Sequence, residues 1–379
     1  MYETLQRVPG VRITCMVHRL LAARLVETVG TLASAGGWIE TARVVRQRIG
    51  VRRPLVPTRT VRLDNAPMDL LRLTVPPAAA AEAAATLIEA GQLRTPGRGQ
   101  LMLQDVELHA DAGEIPAHFE PDAAAMASAG LMPGMVLLTC IASQTGSGEH
   151  LARIALKLGA GLPVVGRGIG TGMRDRLGLL RITIPPEKEI VRLILPAHDA
   201  DGIQRLLVED ARLDRPGGGF LFQTGVRECL LDPLLRIGRH GHAASMEQII
   251  AALDDLKGGT AWRKHVAGLG ESRAAWSERI RHDFRELTFC CGEGRSEALV
   301  REALAAGAGG ATIATGRALG ADERGDQALE SVMLCVPGGR VDAVLNAIHA
   351  AASRQHESGF RSETLAAHSV FSYQQRGSG

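Results

Sequence analysis

Three short strand-like segments of this chain end in proline and lead into helical patterns, and this recurrence limits the fold more than any other feature. They are Leu73-Thr74-Val75-Pro76, Leu193-Ile194-Leu195-Pro196 and Leu334-Cys335-Val336-Pro337. Proline cannot donate to a β-ladder but is well placed to open a helix. The helical patterns carry apolar stripes at Ala84, Leu87 and Ile88, at Ile203, Leu206 and Leu207, and at Val341, Val344, Leu345 and Ile348. These are the i, i+3, i+4 spacings of a helix with one buried face.

A second matched set lies upstream of each. Ile13-Thr14-Cys15, Leu138-Thr139-Cys140 and Leu287-Thr288-Phe289 open apolar strands, and the middle copy continues into a helix through Leu151, Ile154, Ala155 and Leu158. Glycine corners follow at Gly36-Gly37, Gly159-Ala160-Gly161 and Gly309-Gly310, each leading to another strand. Thr14, Thr139 and Thr288 stand 125 and 149 residues apart, so an insertion separates the second and third copies.

The unit so defined reads β-α-β-loop-β-α-β, and a split β-α-β used twice gives a ferredoxin-like sandwich. The expected fold class is therefore α+β, three ferredoxin-like (βαββαβ) repeats arranged as a pseudo-trimer with their sheets turned inward. The expected boundaries are 1–110, 134–229 and 284–379 for the repeats. A linker spans 111–133, and a helical linker carrying Met246, Ile249, Ile250 and Leu253 spans 230–283.

Composition narrows the function classes. The chain has 379 residues, 45% hydrophobic and 22% charged, a globular profile. Its 43 basic and 41 acidic residues leave a net charge of +2, so no global field attracts nucleic acid or an anionic membrane. Aromatic residues make up only 3%, too few for base-stacking platforms. No apolar run approaches a membrane span or a signal core, and a cytoplasmic location is expected. Six cysteines without a CxxC pair read as small buried hydrophobes.

The stretch Val165 to Ile182 combines bare backbone with guanidinium groups. Gly166, Gly168, Gly170 and Gly172 alternate, and Arg167, Arg174, Arg176 and Arg181 lie among and after them. Glycine admits a ligand to main-chain N–H groups, and arginine offers a planar fork to phosphate or carboxylate. An arginine-rich flexible loop has the same composition, and both readings stand at this point. Further glycine turns occur at Gly97, Arg98 and Gly99 and at Gly217, Gly218 and Gly219, where a helix-to-strand turn needs glycine with or without a ligand. Arg46, Arg48, Arg52 and Arg53 form a basic run in the first copy, and Gly316-Arg317 stands in the corresponding place of the third.

In this order the segments resemble the P-II nitrogen-regulatory family, trimeric signalling proteins of ferredoxin-like fold. The resemblance is carried by GLPVVGRGIGTG (Gly161 to Gly172), IVRLILPAHD (Ile190 to Asp199), RPGGGFLF (Arg215 to Phe222) and TPGRGQLML (Thr95 to Leu103). In the third copy only Ser358-Gly359-Phe360 remains near the last of these positions. The resemblance implies nitrogen-regulatory signal transduction and nucleotide binding, with ATP, ADP or AMP as effector, and sometimes 2-oxoglutarate, in clefts between repeats. It also implies a protein target, a transporter or an enzyme, contacted through a loop from Gly172 to Lys188. The implied effector residues are Gly166, Arg167, Gly168, Gly170, Gly172, Arg174, Gly217, Gly218, Gly219, Gly97, Arg98, Gly99 and Arg317. The cleft lined by the second copy's glycine series is the one expected to be occupied.

Some features depart from that family. The lysine after its glycine loop is replaced by Gln100 and Phe220, and the arginine pair after its last strand is absent in register, with Arg236 and Arg239 a few residues later. No tyrosine lies between Tyr2 and Tyr373, which excludes uridylylation of a loop tyrosine. His150, His198, His240, His242 and His265 are scattered without a carboxylate or cysteine cluster, so no metal is expected. Ser143 to His150 lacks the Gly-Lys-Ser/Thr ending of a Walker site and reads as a helix start capped by Ser147. No catalytic set emerges by spacing, so a non-enzymatic regulator is expected. The alternative is a scaffolding protein that uses the repeats for assembly without a ligand.

Overall fold

Alternation along the strands decides which residues face the helices and which do not. The structure, a computed structural model, describes residues 5–52, 58–111, 115, 130–143, 146–172, 187–232, 276–319, 327–357 and 359–373. In the first segment the elements are β1 (Gln6–His18), α1 (Arg19–Val29), β2 (Gly37–Arg52), β3 (Thr58–Val75), α2 (Ala80–Gly91) and β4 (Gly99–Ala110). The second comprises β5 (Met135–Ala142), α3 (Ser147–Lys157), β6 (Val164–Gly172), β7 (Glu187–Pro196), α4 (Ala197–Asp210) and β8 (Gly219–Val226), followed by the short β9 (Glu228–Leu230). After β10 (Ile280–Arg281) the third comprises β11 (Phe284–Gly292), α5 (Ser296–Ala305), β12 (Gly310–Leu319), β13 (Ala328–Pro337), α6 (Val341–Arg354) and β14 (Arg361–Ser372).

On β1, Val11, Ile13, Cys15 and Val17 pack with Leu25 of α1 and Ala84 and Leu87 of α2. Val191, Leu193 and Leu195 of β7 likewise lie beneath Leu151 of α3 and Leu207 of α4, and Val332, Leu334 and Val336 of β13 lie beneath Leu299 of α5 and Val344 of α6. Because side chains alternate at period two, the intervening residues point to the opposite face. There Met16, Leu70, Leu137, Val164 and Ile194 from the first two segments form one shared apolar cluster. The prolines act as expected: Pro196 is the N-cap of α4, while Pro76 and Pro337 lead through one 3-10 turn into α2 and α6. The helix start at Ser147 differs in detail, since Gly146 in a left-handed conformation (φ 86°) holds the cap position and Ser147 is the first helical residue.

Among the described residues every strand pairing is antiparallel, and the strands join into one 14-stranded sheet. The second strands of the three segments meet: Ala42 of β2 pairs with Gly166 of β6, Gly172 of β6 with Gly310 of β12, and Gly316 of β12 with Glu40 of β2. Elsewhere β14 pairs with both β4 and β8, and β9 adds to β4. The sheet thereby closes on itself as a β-barrel with the helices outside.

This corrects the expected fold. Although strand and helix follow one another in the same order in each segment, the product is one closed antiparallel barrel rather than three ferredoxin-like repeats set together as a pseudo-trimer. The physical reason lies at the strand ends. An unpaired edge leaves a row of N–H and C=O groups unsatisfied, and here each segment's edge is satisfied by its neighbours' backbone, so no separate sheets remain to be packed together. The terms tied to that picture, a P-II-like tandem repeat acting in nitrogen-regulatory signal transduction, are corrected with it. Of the expected helical linker, only residues 230–232 and 276–283 are described, and Met246 to Leu253 lie outside them.

The barrel interior is partly polar. Arg12 of β1 reaches Glu286 of β11 at 2.8 Å and Gln104 of β4 at 3.0 Å. Glu40 of β2 is met by Arg72 of β3 at 3.1 Å, Arg192 of β7 at 3.5 Å, the Ser331 hydroxyl of β13 at 2.7 Å and the Trp38 indole N–H at 2.8 Å. A buried carboxylate needs such partners, and these come from all three segments. Burial pushes the Glu40 carboxyl up, but Arg72, Arg192 and the two hydrogen bonds outweigh it and hold it at about 2.

Candidate functional site

A cleft of about 990 Å³ opens where the start of β2 faces the ends of β11 and β12 and the start of β14. Its first wall is Gly36-Gly37-Trp38. Gly36 has φ 122°, and a Cβ on Gly37 would lie 2.4 Å from the Arg72 carbonyl oxygen, so the two glycines of this wall must be bare backbone. The facing wall carries His356, Glu357 and Gly359, of which His356 (φ 56°) and Gly359 (φ 68°) are left-handed.

Two guanidinium groups lie on the rim. Arg361 opens β14 and donates to the Ala35 carbonyl, joining the walls. Arg295, just before α5, donates to the Gln355 carbonyl at 3.0 Å and pairs with Glu357 at 2.9 Å. At the floor, Glu363 follows Arg361 on the same face of β14, is only 7% exposed, accepts from the Thr74 hydroxyl and has Arg12 3.7 Å from its other oxygen. Burial pushes its carboxyl above the ordinary range, and Arg12 and Thr74 only partly oppose this. Thr288 and Cys290 complete the floor, and burial together with Glu40 and Glu363 holds the Cys290 thiol well above its usual value. A thiol so held is a poor nucleophile. The arrangement is suited to holding a small molecule with an anionic group, because guanidinium forks and open main chain converge on one space.

The residues expected from sequence are not gathered at this cleft. Gly166, Gly168, Gly170 and Gly172 lie in β6, and close strand approach gives Gly168 a reason of its own: a Cβ there would meet the Ile313 carbonyl oxygen at 2.9 Å and the Thr312 methyl at 3.0 Å. Arg167 is exposed on the same strand, and Arg174 lies outside the described residues. Arg317 is exposed on β12, pairs in register with Ile39 and lies one residue before Ala318 of the cleft lining. The Gly97, Arg98, Gly99 turn leads into β4, and the Arg98 carbonyl accepts from His18 N–H at 3.1 Å. Gly217, Gly218 and Gly219 lead into β8, where a Cβ on Gly218 would meet the Arg212 carbonyl oxygen at 2.8 Å.

The first of these turns is covered by chain that follows β8. Asp232 lies on the first, with one carboxylate oxygen 2.8 Å from Gly97 N–H. Ahead of the second, Arg279 pairs with Asp214 at 3.7 Å, and Trp276 stacks on Phe371 of β14 with ring centroids 5.5 Å apart. The third turn, from which Gly359 is described and Ser358 is not, lines the open cleft. Gln100 and Phe220, the positions noted for their missing lysine, point into the barrel: Gln100 donates to Met16 sulfur at 3.2 Å and Phe220 packs on Phe222.

Sequence reasoning missed Arg361, Glu363 and Arg295. The signal available was the order Gly359-Phe360-Arg361-Ser362-Glu363 directly after a helix, masked because the third turn carries one glycine where the others carry two or three. Among the described residues no three His, Cys, Asp or Glu side chains are grouped as a metal ion requires, and His240, His242 and His265 lie outside them. No described helix is long and apolar enough to cross a membrane. No protein-family model matches the chain, and no curated protein matches it.

Proposed function

We propose that this chain is a non-enzymatic regulatory protein that binds an adenine nucleotide or another small anionic effector in the cleft between β2 and β14. The observation that carries this reading is the convergence of Arg361 and Arg295 with the glycine backbone of Gly36, Gly37 and Gly359 on one open space of about 990 Å³. That volume suits a ligand of nucleotide size. Arg12, 3.7 Å from Glu363 at the floor, offsets that carboxylate's charge beneath the two rim arginines. Arg295 would exchange Glu357 for the ligand, so binding shifts the turn that carries Glu357 and Gly359. A partner protein reached through the loop from Gly172 to Lys188 belongs to the same proposal; most of that loop lies outside the described residues. A cytoplasmic location accords with six cysteines that form no disulfide.

Isothermal titration with AMP, ADP and ATP tests the reading. One site per chain is expected, weakened roughly tenfold or more by Arg361→Ala or Arg295→Ala, the loss of a charge-assisted contact. No heat with any of the three, in a folded protein, overturns nucleotide binding. The second reading, an assembly module without a ligand, is favoured by the coverage of the Gly97 turn, and it requires both arginine variants to keep any partner binding intact.

A further inference from the structure

The Gly97 turn is occupied by the chain itself. Thr95-Pro96-Gly97-Arg98-Gly99 leads from α2 into β4, with Gly97 (φ 87°) and Gly99 (φ 140°) both left-handed. A Cβ on Gly99 would lie 2.2 Å from the Met16 carbonyl oxygen, so packing alone requires that glycine. Gly97 serves differently, with its N–H directed at the Asp232 carboxylate, 2.8 Å away. The other oxygen of that carboxylate lies 3.7 Å from the Arg46 guanidinium of β2, and the Asp232 side chain is 0% exposed. A backbone N–H thus bonds one oxygen of a fully buried carboxylate and a guanidinium stands 3.7 Å from the other, a pairing of main-chain N–H and cation that also suits free oxyanions.

Asp232 is brought there by short pairings. β9 adds to the edge of β4 with Leu101 opposite Leu230 and Leu103 opposite Glu228, and Met132 and Cys229 exchange backbone hydrogen bonds at 2.8 and 2.9 Å. Asp232 follows two residues after β9, with its carboxylate inside the turn.

We infer that the Gly97 turn with Arg46 is an anion site of carboxylate class whose occupant is the chain's own Asp232, a tethered pseudo-ligand. Tethering gives Asp232 a high effective concentration at the turn, so a free anion is excluded. The site therefore holds a small carboxylate when Asp232 is shortened. This explains why the turn richest in glycine in the first segment is closed while the poorer third turn lines the open cleft. The inference rests on the geometry of this turn and not on what occupies the cleft at Arg361.

The test is rescue of Asp232→Ala by formate, which reproduces the lost carboxylate. The variant is expected to melt about 2–4 °C below the wild type, and formate is expected to restore most of that loss in a saturable manner that chloride at equal ionic strength does not reproduce. Asp232→Asn keeps the volume filled, so it is expected to gain nothing from formate. Asp232→Ser, which leaves one oxygen and room for formate, carries the same readout if Asp232→Ala does not fold. Arg361→Ala is expected to leave the rescue unchanged even if it abolishes effector binding, so the two readings fail separately. An unchanged melting temperature in Asp232→Ala, or equal responses to formate and chloride in every folded variant, overturns the inference.

Discussion

Arg12 and Glu286, 274 positions apart in the chain, meet at 2.8 Å with side chains only 3% and 5% exposed, binding the first strand of the first segment to the first strand of the third. Removing either partner strands a charge in the barrel interior. Arg12→Met is expected to cost about 3–5 kcal/mol, and Arg12→Met with Glu286→Leu together much less, because the pair's desolvation cost then disappears as well. Urea denaturation of the two single variants and the double closes the cycle; additive losses would show that the pair is not coupled.

Glu40 makes stability acid-sensitive. Its carboxyl is held at about 2, below the ordinary 4.5, so the folded state gains by its ionisation. That contribution is fully present above pH 4.5 and disappears as pH falls through about 2. The gap is worth about 3 kcal/mol. Glu40→Gln should destabilise the protein at neutral pH and flatten the stability curve between pH 4.5 and 2. An unchanged curve in that window would remove Glu40 from the account of acid lability.

His109 acts at higher pH. It is fully buried on β4 with its ring 2.9 Å from the Thr364 hydroxyl of β14. Burial, with Arg7, His349 and Arg285 nearby, outweighs Asp342 and lowers it from 6.5 to about 3; Glu107 also lies 3.5 Å from the ring. A depressed base contributes stability above pH 6.5 that is lost as pH falls toward 3, on the order of 3–5 kcal/mol in all. In His109→Gln, which can keep the bond to Thr364, the loss between pH 6.5 and 4.5 should be smaller than in the wild type, measured as thermal midpoint against pH.

The glycines of β6 should not be equivalent. A Cβ on Gly168 meets the Ile313 carbonyl oxygen of β12, which can move only with the strand, whereas one on Gly170 meets the flexible Lys188 side chain of β7. Gly168→Ala is expected to cost about 1–3 kcal/mol, and Gly170→Ala about 1 kcal/mol or less. Equal losses in chemical denaturation would mean that strand crossing is not what selects glycine here.

Thiol chemistry reports on the barrel. Burial pushes Cys15, Cys229 and Cys291 up to about 12, and raises Cys140, Cys290 and Cys335 as well. Alkylation at pH 8 should find no fast thiol in the native chain and six in urea. A single rapidly modified cysteine would contradict the packing described for it.

What could be read before folding was local. Short apolar runs marked several strands, the i, i+3, i+4 stripes marked α2, α4 and α6, and the strand-proline steps marked where one becomes the other, because each depends only on a few consecutive side chains. The candidate site was far less legible. Gly36-Gly37 and Ser358-Gly359-Phe360 were both visible as corners, yet nothing in either stretch says that they face each other across a cleft. The alternating glycines from Gly166 to Gly172 drew attention as a ligand site, but they lie on a strand that passes closely between two others. Bare backbone has the same composition whether it approaches a ligand or a neighbouring strand.

The amino-acid sequence by itself determined most of the elements and their order, since secondary structure follows from local pattern. Only the tertiary structure decided how strand edges are satisfied: β2, β6 and β12 pair with one another, and β14 with β4 and β8, turning a recurring order into one closed barrel. It also decided which glycine turn stays open. Asp232, which covers the Gly97 turn, is 135 positions away from it in the chain. Such long-range pairings depend on the free energy of the whole closed sheet, which no window of neighbouring residues contains.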